Sequence, residues 1–324
     1  MSDFAMIQAA AARAKGHVRE TPLLSSPFLD ELTGRRIFVK AECLQHTGSF
    51  KFRGGWSALS GMSEAARRKG VIAVSSGNHA QGVALAARIH GVPAVIVMPK
   101  DAPALKIANT RALGAEVVLF DRATDDRDAL VDRLALERNL TLVKPFDEPL
   151  VIAGQGTAGL EIAAQAKAEG IENAQVLVPC GGGGLTSGIA LALAKVAPGL
   201  IVRPCEPAGF DDVLRSLVSG RIEKNVQLAG SICDAIITQS PGEVTFPIMH
   251  DLCQPGLAVS ELDCLKAMAQ AFLRLKIVVE PGAAVGLAAA LYHSDKLPAG
   301  DLIVVASGGN VDGEMFARAL ATLD

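Results

Sequence analysis

The chain has 324 residues, of which 50% are hydrophobic but only 4% aromatic, and its formal net charge is −3. A chain of this length forms one large domain or two medium ones with an ample buried core. Few aromatic residues mean that the core consists mostly of Ala, Val, Leu and Ile, as in an α/β protein. The mixed, nearly neutral charge argues against nucleic acid and anionic membranes as partners.

The six cysteines are scattered, form no C-x-x-C pair and stand in mostly apolar contexts. This distribution predicts free, buried thiols in a reducing compartment. The N-terminus lacks the basic segment and long apolar run of a secretory signal. The longest apolar runs are also too short to span a bilayer. We therefore expect a cytoplasmic protein with no membrane partner.

Short runs rich in β-branched residues alternate with Ala-rich segments of helical length. The predicted strands are 37–40, 71–75, 94–98, 116–120, 175–179, 201–205 and 302–306. The predicted helices are 80–90, 104–113, 126–138, 156–167, 185–196 and 211–218. Continuous apolar strands separated by helices are typical of open parallel sheets that carry helices on both faces.

A compact set of βα units occupies residues 69–147 and is flanked by irregular segments. We interpret this stretch as a small domain inserted into a larger one. The larger domain would then consist of residues 1–68 and 148–324.

Four consecutive glycines lie between a predicted strand and a predicted helix. They are Gly181, Gly182, Gly183 and Gly184. Glycines let the backbone approach a ligand closely, and a helix N-terminus adds positive partial charge. A tight turn alone needs fewer glycines, so the segment predicts a phosphate site. Its spacing matches neither the dinucleotide-binding pattern nor the P-loop.

Lys51 lies among small and apolar neighbours in the segment 47–54, just before a helix. A desolvated amine of lowered pKa forms imines with aldehydes, although a lone lysine is more often a surface residue. The segments 75–82 and 306–310 place small polar residues directly after predicted strands. Such residues either bind a ligand at the carboxyl edge of a sheet or simply cap a helix.

Taken together and in this order, the four segments resemble the fold-type-II pyridoxal-phosphate enzymes, and in particular the serine/threonine dehydratase and serine racemase family. The similarity extends from about residue 21 to residue 310. It implies a tryptophan-synthase β-like fold with a large and a small domain. It also implies pyridoxal 5′-phosphate as the cofactor and a homo-oligomer, either a dimer or a tetramer.

The resemblance implies a role for each matching residue. Lys51 would bind the cofactor aldehyde and later move the α-proton. In racemases of the family, the serine at the position that matches Ser76 is the base on the opposite face. The implied cofactor-binding residues are Phe50, Lys51, Asn78, Gly181, Gly182, Gly183, Gly184, Glu280 and Ser307. The implied substrate-carboxylate loop is Ser75, Ser76, Gly77, Asn78 and His79. Ala235 departs from the family, which usually has glycine beside the cofactor at that position.

A further match, at residues 206–212, implies a Mg²⁺ or Ca²⁺ site. Its ligands would be the carboxylates of Glu206 and Asp212 and the backbone carbonyl of Phe210. Hard oxygen ligands suit these ions. The alternative interpretation is a helix start with acidic residues in its first turn.

The resemblance predicts a dehydratase, or ammonia-lyase, that removes water from serine, threonine or 3-hydroxyaspartate to give an imine or 2-oxo acid and ammonia. The alternatives are a serine or aspartate racemase and a non-catalytic amino-acid-binding module. A 3-hydroxyaspartate has a second carboxylate that needs a further cation or donor. His46 and Arg53 are the candidates for that contact, and either could instead be structural.

Overall fold

The computed structural model describes residues 2–102 and 104–323. Met1, Pro103 and Asp324, which the predicted domains include, lie outside the described residues. The strands are β1 (Leu23–Ser25), β2 (Ile37–Lys40), β3 (Val71–Val74), β4 (Ala94–Pro99), β5 (Glu116–Phe120), β6 (Thr141–Leu142), β7 (Ala174–Pro179), β8 (Leu200–Pro207), β9 (Leu257–Val259) and β10 (Asp301–Val305).

Helices connect the strands and cover both sheets. They are α1 (Phe4–Ala14), α2 (Pro27–Thr33), α3 (Lys51–Gly61), α4 (Glu64–Lys69), α5 (Asn78–His90), α6 (Ala104–Ala112), α7 (Arg127–Arg138), α8 (Pro149–Ala168), α9 (Gly184–Val196), α10 (Asp212–Ser219), α11 (Thr245–Leu252), α12 (Glu261–Gln270), α13 (Pro281–Tyr292) and α14 (Gly313–Leu320). Within the described ranges, no helix is long and apolar enough to cross a membrane.

The strands form two open sheets. The larger has the order β1-β2-β10-β7-β8-β9 and is parallel except for the pairing of β1 with β2. The smaller has the order β5-β4-β3-β6 and is parallel throughout. The predicted fold class is therefore confirmed. The observed strands begin and end close to the predicted limits, and the short β1, β6 and β9 were not predicted.

All four strands of the smaller sheet lie between residues 71 and 142. The helix α3 precedes this stretch, yet its buried side chains Phe52, Trp56 and Leu59 share a core with Val71 of β3. The domain limits at residues 69 and 147 stay a prediction. The packing shows that the helix carrying Lys51 rests against the smaller sheet.

The helix α8 begins seven residues earlier than the predicted helix 156–167, at Pro149. Proline suits the first turn of a helix, and the Glu148 carboxylate accepts hydrogen bonds from the N–H groups of Leu150 and Val151 at 3.0 and 2.8 Å. Glycines at 154, 156 and 159 disfavour a helix by propensity. Here they are required by packing, because a Cβ on Gly156 would lie 2.9 Å from the carbonyl oxygen of Gly188 in α9.

The core consists mainly of aliphatic side chains, as the composition predicts. β2 and β4 are buried along their full length, as expected of strands covered by helices on both faces. All six cysteines are buried and free, which confirms the prediction of free, buried thiols.

Candidate active site

The segments with unusual composition meet in one cleft between the two sheets. Its lining residues are Phe50, Lys51, Val74, Ser75, Ser76, Gly77, Asn78, His79, Lys106, Pro145, Phe146, Pro179, Gly181, Gly182, Gly183, Gly184, Leu185, Thr186, Asp234, Ala235, Ile236, Thr238, Glu280 and Ser307. Ser75 follows β3, Gly181 follows β7 and Ser307 follows β10 closely. The cleft thus lies beyond the carboxyl ends of these strands, where open α/β sheets bind ligands.

The glycine segment forms a cradle at the start of α9. Gly183 has φ 91°, which favours glycine, and Gly184 opens the helix. A Cβ on Gly184 would lie 3.0 Å from both the Cα and the Cβ of Phe146, so a side chain would fill the space. The free N–H groups and positive end of a 13-residue helix suit an anion such as a phosphate. The residues present therefore fit a phosphorylated cofactor.

Lys51 is the first residue of α3 and faces the cleft. Its Nζ donates a hydrogen bond to the carbonyl oxygen of Pro145 at 2.8 Å. Burial lowers the pKa of this amine from its ordinary value of 10.5 to about 8, although the charge of Glu280 opposes the shift. About a tenth of the amine is therefore neutral at pH 7, far more than for an ordinary lysine, and a nucleophile or general base acts in that form.

The turn before Lys51 fixes where the lysine enters the cleft. Thr47 has φ 59°, an uncommon conformation for a β-branched residue. The Phe50 N–H donates to the Ser307 carbonyl at 3.0 Å, and Ser49 pairs with Gly308 as an isolated β-bridge. These contacts hold the lysine segment against the loop that follows β10.

A short hydrogen-bond chain orients Asn78. Its Nδ2 donates to Glu280 Oε1 at 2.6 Å, and its Oδ1 accepts from Asn310 Nδ2 at 2.7 Å. Asn310 also donates to the Thr47 carbonyl at 2.8 Å. Burial raises the pKa of Glu280 from 4.5 to about 7. Asn310 belongs to the segment 306–310, for which the sequence predicts either a ligand contact or a helix cap, and its partners from distant segments are visible only in the fold.

The loop Ser75–His79 lies at the start of α5, where free N–H groups are available for a carboxylate. The His79 ring does not add a positive charge there. Its Nε2 lies 3.0 Å from the Val143 carbonyl, which can only accept, so Nε2 carries the proton. Burial, and secondarily the charge of Lys51, lowers the pKa of His79 to about 3, which keeps the ring neutral.

Arg53 points away from the cleft. Its Nε and Nη2 donate to the Glu42 carboxylate, each at 2.7 Å, and its Nη1 donates to Glu161 Oε1 at 2.7 Å. With these donors committed inside the protein, Arg53 has a structural role. His46 packs edge-on against Phe52 and is absent from the described lining of the cleft. Of the two predicted candidates, neither contacts the cleft, whereas Lys106, which was not predicted, lines it.

The residues predicted to bind a divalent cation lie together where β8 ends and α10 begins. Both carboxylate oxygens of Glu206 accept hydrogen bonds, from Val213 N at 2.9 Å and Leu214 N at 2.7 Å. Asp212 is buried, and its Oδ2 has no hydrogen-bond partner among the described residues. Burial raises the pKa of both carboxyl groups. Across residues 2–102 and 104–323, no group of three His, Cys, Asp or Glu side chains forms a metal-binding cluster.

The half-buried lysine with its lowered pKa, the glycine cradle and the open α/β sheets define an enzyme that binds a phosphorylated aldehyde cofactor. Residues 14–308 match the family of pyridoxal-phosphate dependent enzymes, and the chain belongs to that family. The predicted family and the predicted cofactor are thereby confirmed.

Curated relatives match over nearly the whole chain. An L-threo-3-hydroxyaspartate ammonia-lyase from a Pseudomonas species is 42% identical over 99% of this chain and 99% of the relative. A serine racemase from Schizosaccharomyces pombe is 40% identical over 97% of this chain and 96% of the relative. The crystal structure of a threonine deaminase from T.th. superposes with a TM-score of 0.90 at 46% identity, covering 96% of this chain and 99% of that one.

Proposed function

We propose that this protein is an ammonia-lyase that breaks the carbon–oxygen bond of a small β-hydroxy amino acid and releases ammonia and a 2-oxo acid. The substrates considered are serine, threonine and 3-hydroxyaspartate. The observation that carries the proposal is the half-buried amine of Lys51, whose one described hydrogen bond goes to a backbone carbonyl and which lines the same cleft as the glycine cradle. Support also comes from full-length similarity to enzymes named for hydroxyaspartate and from the fold of a threonine deaminase.

When bound, pyridoxal phosphate withdraws electron density from the α-carbon of an attached amino acid. The residues proposed to hold it are Lys51 at its aldehyde, the glycine cradle at its phosphate and Ser307 at its ring nitrogen. Asn78 and Glu280 would line the ring, because both line the cleft and a 2.6 Å hydrogen bond holds them together.

The chain supplies proton transfer and orientation. The Lys51 Nζ takes the α-proton, since burial keeps a share of the amine neutral near pH 7. The Ser75–His79 loop and the N-terminus of α5 hold the substrate carboxylate, and Pro145 and Phe146 add apolar surface to the lining of the cleft.

The alternative function is racemisation. It is supported by Ser76, which lines the cleft, and by similarity to serine racemases. Racemisation requires a second proton donor opposite Lys51, so a Ser76→Ala variant would lose D-amino acid formation and keep elimination. Detecting D-serine or D-aspartate by chiral chromatography measures this activity directly.

The test is 2-oxo acid release from L-serine, L-threonine and the stereoisomers of 3-hydroxyaspartate. Elimination predicts turnover of at least one, lost in Lys51→Ala and retained in the matched surface variant Lys100→Ala. Lys100 directly follows β4 of the smaller sheet, and its side chain is 59% exposed. A wild-type protein that carries the cofactor but releases no 2-oxo acid from any of them would contradict the proposal.

We also propose that Mg²⁺ or Ca²⁺ binds Glu206, Asp212 and the carbonyl of Phe210. The unpartnered, buried Oδ2 of Asp212 beside a second buried carboxylate supports this site. A ligand at one hundred times its Kd stabilises a protein by about 2.7 kcal/mol. Adding either ion to chelator-treated protein is therefore expected to raise Tm, and Asp212→Asn to abolish the rise. An equal Tm with and without the ions would contradict it.

We also propose that the protein is a homo-oligomer and that it is located in the cytoplasm. Exposed apolar side chains such as Phe28 (56%) and Leu32 (56%) support an interface between copies of the chain. Light scattering coupled to size-exclusion chromatography measures the mass directly, and a monomer at micromolar concentration would contradict it.

A further inference from the structure

The cleft contains few charged side chains. Among its described lining residues these are Lys51, Lys106, Asp234 and Glu280. Lys51 is assigned to the cofactor. His79 also lines the cleft, but its imidazole ring stays neutral because burial lowers its pKa to about 3. In the described lining, Lys106 is therefore the side-chain cation left to meet a second negative charge on a substrate.

Lys106 and Asp234 face each other across the cleft. Lys106 belongs to α6, beside the smaller sheet, and Asp234 belongs to the segment between α10 and α11, beside the larger one. Their Nζ and Oδ2 atoms are 3.4 Å apart, and the side chains are 30% and 65% exposed. Both charges act on Glu280, whose pKa Asp234 raises and Lys106 lowers. The pair therefore lies close to the reacting centre.

This ion pair is weak enough to exchange. Strong charge-assisted hydrogen bonds from an ammonium to a carboxylate are about 2.7–2.9 Å long, and the distance here is 3.4 Å. Partly exposed pairs contribute about 0–1 kcal/mol. A substrate carboxylate that enters the cleft can therefore replace Asp234 on Lys106 at little cost.

We propose that Lys106 binds the second carboxylate of a dicarboxylic β-hydroxy amino acid such as 3-hydroxyaspartate, in exchange for Asp234. Serine and threonine lack that group and leave the Lys106–Asp234 pair in place. Lys106 is thus the residue that distinguishes the dicarboxylic substrate from the smaller ones. This inference rests on the proposed elimination in the same cleft.

The first test compares substrates in a Lys106→Gln variant. Loss of a charged hydrogen bond is expected to raise KM for L-threo-3-hydroxyaspartate by about 10- to 100-fold with kcat little changed. For whichever of L-serine and L-threonine the wild type uses, kcat/KM should stay within about twofold. Lys106→Arg keeps the charge and should retain most of the affinity, and Lys100→Gln is the matched control in the same part of the fold.

The second test removes the charge of Asp234, which competes with the substrate carboxylate for Lys106. Asp234→Asn leaves Lys106 without its protein partner and removes a negative charge from the cleft. It is expected to lower KM for the dicarboxylic substrate by about two- to fivefold. An unchanged or higher KM would overturn the exchange of partners.

The third test needs no turnover. Calorimetry on the cofactor-loaded protein is expected to show succinate binding more tightly than butyrate, a preference that Lys106→Gln removes. If the wild type eliminates none of the substrates but keeps this preference, the elimination fails while the Lys106 site stands. Equal affinity of the wild type for succinate and butyrate would overturn the role of Lys106. An equal loss of kcat/KM for mono- and dicarboxylic substrates in Lys106→Gln would overturn it as well.

Discussion

Two residues of α3, Lys51 and Arg53, lie on opposite sides of the same helix turn, yet their surroundings differ: Arg53 is buried, whereas Lys51 is half-buried at the cleft. Arg53 donates hydrogen bonds to Glu42 and Glu161 and is fully paired. Lys51 has one protein partner, a backbone carbonyl. Burial lowers the pKa of both groups, but the two carboxylates reverse the shift at Arg53. Paired burial thus serves structure, and unpaired burial leaves an amine ready for chemistry.

The paired side extends beyond Arg53. The Lys40 ammonium, on β2, donates to Glu161 Oε2 at 2.6 Å, and Thr21 donates to Glu42 Oε1 at 2.5 Å. These contacts link β2, α3 and α8, which come from distant parts of the chain. The network therefore anchors the first turn of α3, from which Lys51 enters the cleft.

The largest expected effect is that of Lys51→Ala on catalysis. Loss of the α-proton acceptor should reduce 2-oxo acid release by at least about a thousandfold. The free energy of unfolding of the cofactor-free variant should be unchanged or higher, because the substitution removes a partly desolvated amine that has no carboxylate hydrogen bond. Activity assays and urea unfolding measure the two quantities. A marked fall in the free energy of unfolding would show that Lys51, like Arg53, stabilises the fold.

Arg53→Met should reverse that pattern. It leaves buried carboxylates without their partner, and breaking a buried ion pair costs about 3–5 kcal/mol of unfolding free energy. The matched control is Arg36→Met, whose guanidinium pairs with Asp301 at the surface, where solvent screens the interaction, so its loss of unfolding free energy should be much smaller. Urea unfolding at pH 7 measures both. Similar losses in the two variants would remove the distinction between paired and unpaired burial.

Glu280→Gln sharpens the comparison through pH. Burial raises the pKa of Glu280 from 4.5 to about 7, so the folded protein holds this proton more tightly than the unfolded chain. The stabilisation is fully present below pH 4.5 and is lost as the pH rises through about 7. In the cofactor-free protein, Glu280→Gln should be more stable than wild type by up to about 3 kcal/mol above pH 7. The difference should vanish near pH 4.5, and a constant difference at all pH values would contradict the assignment.

Ser307→Asp is expected to have the smallest effect. Ser307 lines the cleft with a neutral hydroxyl, whereas an aspartate would favour protonation of the cofactor ring nitrogen. Elimination should slow by about tenfold and transamination should become detectable. The ratio of 2-oxo acid to aminated cofactor, followed by absorbance, measures the change. Unchanged elimination would show that the ring nitrogen does not control the reaction.

Much of the fold followed from local patterns. Strands such as β2 and β5 were predicted at their observed limits because each is a short apolar or β-branched run between breakers. The predicted helix begins at Gly156 and leaves out residues 149–155, in which Gly154 opposes helix formation locally. Gly154, Gly156 and Gly159 all lie within α8. Those glycines are tolerated because α3 and α9 approach α8 closely, which is a property of the packed structure.

The sequence by itself determined the glycine segment between a strand and a helix and, through the order of four such segments, the family. Lys51 followed from that resemblance, since a lysine alone does not indicate a site. It did not determine which charges face the cleft. Arg53 lies two residues from Lys51 but pairs with Glu42 and Glu161, whereas Lys106 lies far along the chain and reaches the cleft. Only the tertiary structure decided this, because the partners of a charged side chain are set by which distant segments the fold brings together.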